Sequence, residues 1–158
     1  MSDSINLFSS FELGSITLSN RMVMAPMTRC RAARNGIPTA LNATYYTQRA
    51  SAGLIITECT QVSPLSTAYA NTPGIFTQAQ VDGWKIVTNS VHESGSKIYL
   101  QLWHAGRVAH PLLHPEGATP IAPSAIVAKG QTRTPQGMQP YVTPRALETD
   151  EIPLIINE

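Results

Sequence analysis

The chain has 158 residues, of which 42% are hydrophobic and 13% charged, and a formal net charge of +1, the profile of one globular domain and not of a disordered or fibrous segment. The even charge balance and the lack of any Lys/Arg run exclude a nucleic-acid footprint, which needs a clustered basic face. No apolar stretch approaches the roughly 20 residues that span a bilayer, and the start "MSDSINLF" has no basic then apolar leader, so a cytoplasmic protein is expected.

In chain order, residues 6–20 carry period-two apolar positions around Gly14-Ser15 in "FELGSITLSN", which predicts a hairpin. "RMVMAPM" is a brief apolar run stopped by Pro26 and reads as a buried strand. In "TALNATYYTQRAS", Leu41, Tyr45 and Gln48/Arg49 recur at helical spacing, with Thr39 or Asn42 as cap and Gly53 as stop. Contiguous Leu54, Ile55 and Ile56 in "LIITECTQVS" predict a strand covered on both faces, as in a parallel sheet. Val81, Trp84, Val87 and Val91 then mark a second amphipathic helix, stopped by Gly95. The third strand is "KIYLQLW". Within "IYLQLWHAGR" the chain passes from a buried strand to polar, aromatic and basic residues: Gln101, Trp103, His104 and Arg107.

Residues 21–104 therefore read as βαβαβ with right-handed crossovers, and an α/β parallel sheet follows. Residues 105–147 are rich in proline and glycine and hold no sustained period, so they form a long lid-like excursion. Residues 148–158 begin another helix, with Thr149 as N-cap, Asp150 and Glu151 in its first turn and Pro153 early enough to be tolerated. A (β/α)8 barrel takes about 250 residues. Three strands cannot close such a barrel, so the incomplete TIM-type barrel that the family resemblance below implies would comprise the hairpin, about the first three βα units and the excursion.

Parallel α/β folds bind ligands at the C-terminal ends of their strands. Those ends are "APMTR" (25–29), "TECTQ" (57–61) and "QLWHAGR" (101–107), each pairing small residues with side chains able to hydrogen-bond. Each also has a plainer reading: Thr28 as a turn cap, Gln101 as a partner for buried backbone, Trp103 as core. Cys30 and Cys59 are widely spaced and read as unpaired thiols. His104, His110 and His114 lack a Cys or carboxylate to complete a tetrahedral site, and no metal is expected.

Five segments, "NRMVMAPMTRCRA", "YYTQRASAGLIITECTQVSP", "AYANTPGIF", "QLWHAGRVAHP" and "TPRALETDEIP", stand in the order and spacing of the old yellow enzymes, and the chain resembles the N-terminal part of that family from about Leu7 to Pro153. The resemblance implies an FMN-dependent NAD(P)H oxidoreductase that reduces the activated C=C bond of an enone. Ala25, Pro26 and Met27 would then pass their backbone along the flavin. Thr28 would bond its O4 edge and tune its potential, and Gln101 would bond the pyrimidine edge. Cys59 falls where the family has Ala or Gly beside the ring, and its larger thiol either crowds the flavin or points away. Trp103 would line the substrate pocket and Tyr69 its mouth, while Arg107 and Arg145 take structural or lid roles. The family's proton-donating Tyr, carbonyl-activating pair and phosphate clamp lie beyond the helix at Thr149. The resemblance thus also implies inactivity of this chain by itself: the chain is a fragment of a longer gene product, or one half of a split enzyme that a second chain completes, or a non-catalytic relic.

Overall fold

The computed structural model describes residues 6–158. Strands β1 (Phe11–Leu13) and β2 (Ile16–Leu18) pair antiparallel, with Gly14 supplying the left-handed turn residue at φ +59°. Then follow β3 (Val23–Met24), α1 (Ala40–Thr47), β4 (Leu54–Gln61), α2 (Gln78–Glu93) and β5 (Lys97–Trp103). The three strands form one parallel sheet in the order β3-β4-β5, the predicted βαβαβ unit.

Central β4 is buried on both faces, as its apolar run requires, whereas β5 differs from expectation. Its Tyr99 and Leu102 are 51% and 63% exposed, β5 being an edge strand of the sheet. Val23 on β3 is likewise exposed.

Both helices start at reciprocal caps. Thr39 accepts the Leu41 N–H at 3.3 Å while Asn42 Oδ1 accepts the Thr39 N–H at 3.0 Å, so both predicted caps act together. That box turns Asn42 inward, and α1 buries Asn42, Ala43 and Tyr46 instead of the expected Leu41–Tyr45 stripe; Leu41 is 58% exposed. Tyr45 packs on the edge of the core and also meets two cations, with the Arg49 and Arg29 guanidinium carbons 3.9 Å and 5.2 Å from its ring centre. In α2, Thr77 caps Gln80, and Gln80 rather than Val81 completes the buried face with Trp84, Val87 and Val91. The Gln80 amide satisfies itself there, donating to Asn35 O at 2.8 Å and accepting from Phe76 and Thr77 N–H. The main core joins Ala43, Tyr46, Ile55, Trp84, Val87 and Val91 between the helices and the sheet.

At the N-terminal ends of the strands the chain is tied by side chains. Asn20 donates to Ser51 O at 2.9 Å and accepts from Met22 and Gly53 N–H, and Ser96 Oγ donates to Ala52 O at 2.7 Å. Gly53 lies so close to the Asn20 backbone that no side chain fits. Toward the other end, β4 carries a bulge: Ile56 pairs Tyr99, but the next pair is Cys59 with Gln101.

The excursion is more ordered than its composition suggests. Strands β6 (Ile121–Ala122) and β9 (Arg145–Ala146) pair parallel, and β7 (Gln131–Thr134) and β8 (Gly137–Pro140) form a hairpin. Strands of two to four residues are too short to display a period. The last helix is entered from Glu148, not Thr149: a 3-10 turn over Thr149–Glu151 leads into α3 (Ile152–Ile156), and the Glu148 N–H donates to the Glu151 carboxylate at 2.8 Å. Arg145 forks onto the same carboxylate at 2.6 and 2.8 Å. Among the described residues, no helix is long and apolar enough to cross a membrane.

Candidate active site at the strand ends

The three strand ends converge. Ala25, Pro26 and Met27 leave β3 along an exposed path, and the half-buried Thr28 turns its hydroxyl to donate to Cys59 Sγ at 3.6 Å. The Cys59 thiol in turn donates to Gln101 Oε1 at 3.4 Å. The thiol therefore points along the sheet between two neighbours. With its oxygen on the thiol, Gln101 has its N–H donors as the end available to a ligand. Its backbone is held as well, by an N–H bond to Thr57 Oγ1 at 3.0 Å.

Beside this line stands an aromatic wall. Trp103 and Tyr69 stack with ring centres 5.7 Å apart and planes at 17°, over a small cluster of Ala68, Ala105 and Ala109. Burial pushes the Tyr69 phenol above its ordinary range, and Tyr141, Cys59 and Cys30 add to the rise. A cleft of about 490 Å³ opens next to Tyr69, bounded by Cys30, Arg31, Asn71 and Arg133, within the range of small-molecule sites.

One residue of this region escaped the sequence reading. Glu58 is fully buried. Its carboxylate accepts the Arg29 N–H at 2.9 Å and the Tyr46 hydroxyl at 3.3 Å, while its own N–H donates to the Tyr46 oxygen at 2.8 Å. Burial raises its pKa above the usual carboxylate range, and the bonds from Arg29, Tyr46 and the Cys30 backbone pull it part of the way back. Burial, with Glu58 beside it, also pushes the Tyr46 phenol far up. The available signal was one acid inside the apolar strand "LIITECTQ", which cannot be placed on a solvated face once both faces are covered.

The histidines hold loops. His104 Nδ1 accepts the Gly106 N–H and His110 Nδ1 the Leu112 N–H, each at 3.1 Å. His114 bonds Ala118 O and Thr67 O through its two ring nitrogens. Burial lowers the His104 pKa, in keeping with an Nδ1 that accepts the Gly106 N–H.

A hydroxyl, a side-chain amide, an exposed stretch of backbone and an aromatic wall on one rim suit the edge and face of a planar heteroaromatic ring with carbonyl and imide groups. The donor set fits a flavin.

Comparison with known proteins agrees in kind. Residues 6–158 match the NADH:flavin oxidoreductase / NADH oxidase family. The chain is 43% identical over 155 residues to 12-oxophytodienoate reductase 1 of Oryza sativa subsp. japonica, covering 98% of this chain and 40% of that protein. It is 41% identical over 150 residues to a probable flavin mononucleotide-dependent alkene reductase of Leishmania infantum, covering 92% and 41%. It superposes on morphinone reductase in complex with tetrahydroNAD with a TM-score of 0.90 and 51% identity, covering 96% of this chain and 43% of that one. The chain thus spans about 40% of the curated relatives it matches, and its fold is that of part of their barrel.

Proposed function

Because the chain belongs to the NADH:flavin oxidoreductase / NADH oxidase family, we propose that it contributes the FMN-facing strand ends of an NAD(P)H-dependent reductase acting on the activated C=C bond of enones. The observation that carries this reading is the line Thr28–Cys59–Gln101 across three strand ends, beside the Tyr69–Trp103 wall. Bound FMN would supply hydride transfer from the nicotinamide to the alkene. The residues of the chain have separable tasks. Gln101 offers its amide N–H groups to the polar edge of the ring, placed before the ligand arrives and so at little reorganisation cost, and the Thr28 hydroxyl, which donates to Cys59 Sγ in this structure, would turn from the thiol to reach that edge. Ala25, Pro26 and Met27, exposed and small or flexible, let the ring lie against backbone. Tyr69 and Trp103 present a flat apolar surface that keeps water from one side of a small unsaturated substrate. The relatives named for oxophytodienoate and morphinone reduction support a cyclic enone as the substrate class.

The test is to mix the purified chain with excess FMN and record visible absorbance across a sizing column. Flavin should co-migrate with protein. Gln101→Ala should weaken its binding about tenfold, the worth of one good hydrogen bond. An unchanged affinity in Gln101→Ala refutes the reading, whereas protein that elutes without flavin means that strands outside this chain are indispensable to the site. The same profile reports whether the exposed Val23, Tyr99 and Leu102 draw in a second chain that completes the barrel.

A further inference from the structure

We propose that Glu58 is a positioning residue of the flavin site, its buried carboxylate fixing the 25–30 loop where the Thr28 hydroxyl meets the Cys59 thiol; the inference rests on the flavin reading above. Two consecutive residues of β4 grip two consecutive residues of the loop. Glu58 Oε2 accepts the backbone N–H of Arg29 at 2.9 Å, and Cys59 Sγ accepts the side-chain O–H of Thr28 at 3.6 Å. In a regular strand, neighbours point to opposite faces and could not serve one loop together. The bulge between Ile56 and Cys59 breaks that alternation at this step.

The loop needs holding. Residues 25–31 have no helical or strand conformation, and Cys30 sits at φ +53°, a left-handed conformation that a residue with a Cβ keeps only when its surroundings impose it. Arg29, between Thr28 and Cys30, is the point at which the carboxylate takes hold. A displaced Arg29 amide moves the Thr28 carbonyl bonded to it, and with it the hydroxyl, which meets Cys59 here and would turn to the ring edge when flavin binds. A buried carboxylate is also an expensive way to fill space, since an apolar side chain of similar volume would serve packing better. The backing is rigid as well: Tyr46, itself fully buried in the main core, donates to the other carboxylate oxygen.

The test compares Glu58→Met, which keeps volume without an acceptor, with Glu58→Gln, which keeps one acceptor oxygen for the Arg29 N–H. Both remove the same charge, so a difference between them reports the hydrogen bond. In flavin-free protein, E58M should speed hydrogen exchange over residues 25–30 about tenfold while E58Q stays near wild type. In FMN-loaded protein, E58M should lower the flavin reduction potential relative to E58Q, and the double variant E58M/T28A should match Thr28→Ala alone. Equal behaviour of E58M and E58Q overturns the proposal, as does a double variant whose effects add. Should E58M fail to fold, Glu58→Asp takes its place. It keeps the charge but withdraws it by one methylene, and wild-type exchange and potential in E58D overturn the proposal equally. A wild-type chain that takes up no FMN shows that its strand ends do not suffice for the site, and the exchange measurement without flavin still decides the Glu58 role by itself.

Discussion

Replacing Tyr46 by Phe tests the clasp at its inner end. The Tyr46 oxygen accepts the Glu58 N–H at 2.8 Å and donates to the Glu58 carboxylate at 3.3 Å, and both residues are fully buried. Phenylalanine keeps the ring and its packing on Trp84, with centres 6.2 Å apart, and removes the oxygen alone. A buried N–H left without an acceptor costs about 1–3 kcal/mol, and the long bond to a charged acceptor adds at the low end of its range, giving a total of about 2–4 kcal/mol. For a chain of this size that lowers Tm by roughly 5–15 °C. The pH dependence has a definite sign. Burial raises the Glu58 pKa and the Tyr46 bond opposes the rise, so in Tyr46→Phe the pKa climbs further. At a pH below the ordinary carboxylate value the group is protonated folded or unfolded and contributes no penalty. As the pH rises through the folded-state pKa, the fold must ionise a buried acid and stability is lost. The variant loses more of it, so the gap to wild type should widen as the pH rises from below the ordinary carboxylate value. Melting followed by circular dichroism at several pH values measures this. A deficit under about 2 °C at neutral pH, or a gap that narrows as pH rises, would sink the account of the clasp.

Two other substitutions probe the frame around it. Gly53→Ala drives a methyl group into the Asn20 backbone and should cost more than about 3 kcal/mol, since backbone must move; thermal melts of this variant within a degree or so of wild type would show that the close approach is not tight. Ile55→Val removes one buried methyl from the main core and should cost about 0.5–1.5 kcal/mol by urea titration with an unchanged m-value; a changed m-value would mean that the core is not packed as described.

The order of the elements was legible because long strands and helices leave periods. Leu54–Ile56 could only be a covered strand, and Trp84, Val87 and Val91 mark one helix face. The phase of α1 was not legible. Its inward face is chosen by Asn42 capping Thr39 and by Tyr46 meeting Glu58, and hydrogen bonds to distant residues have no hydrophobic period. The short pairs β6–β9 and β7–β8 depend on partners more than 20 residues away or on a tight turn, so their sequence reads as loop. At the site, the strand-end rule brought forward Thr28, Cys59 and Gln101, which the structure places in one line, and Trp103, which it stacks on Tyr69, a residue that only the family resemblance singled out. Glu58 stayed hidden because the bulge that turns it toward the loop is a register shift between strands, visible only when both are paired.

The sheet is fastened at one end and open at the other. Asn20, Gly53 and Ser96 knit the N-terminal ends of the strands, while Thr28, Cys59 and Gln101 lie at the C-terminal ends. A saturation library scored separately for cellular abundance and for yellow colour should therefore split along the strand axis. Substitutions at the fastened end would deplete the protein and the colour in proportion. Those at the open end would bleach a protein present in normal amount, and the row of β4 at which one class gives way to the other would mark where the frame ends and the chemistry begins.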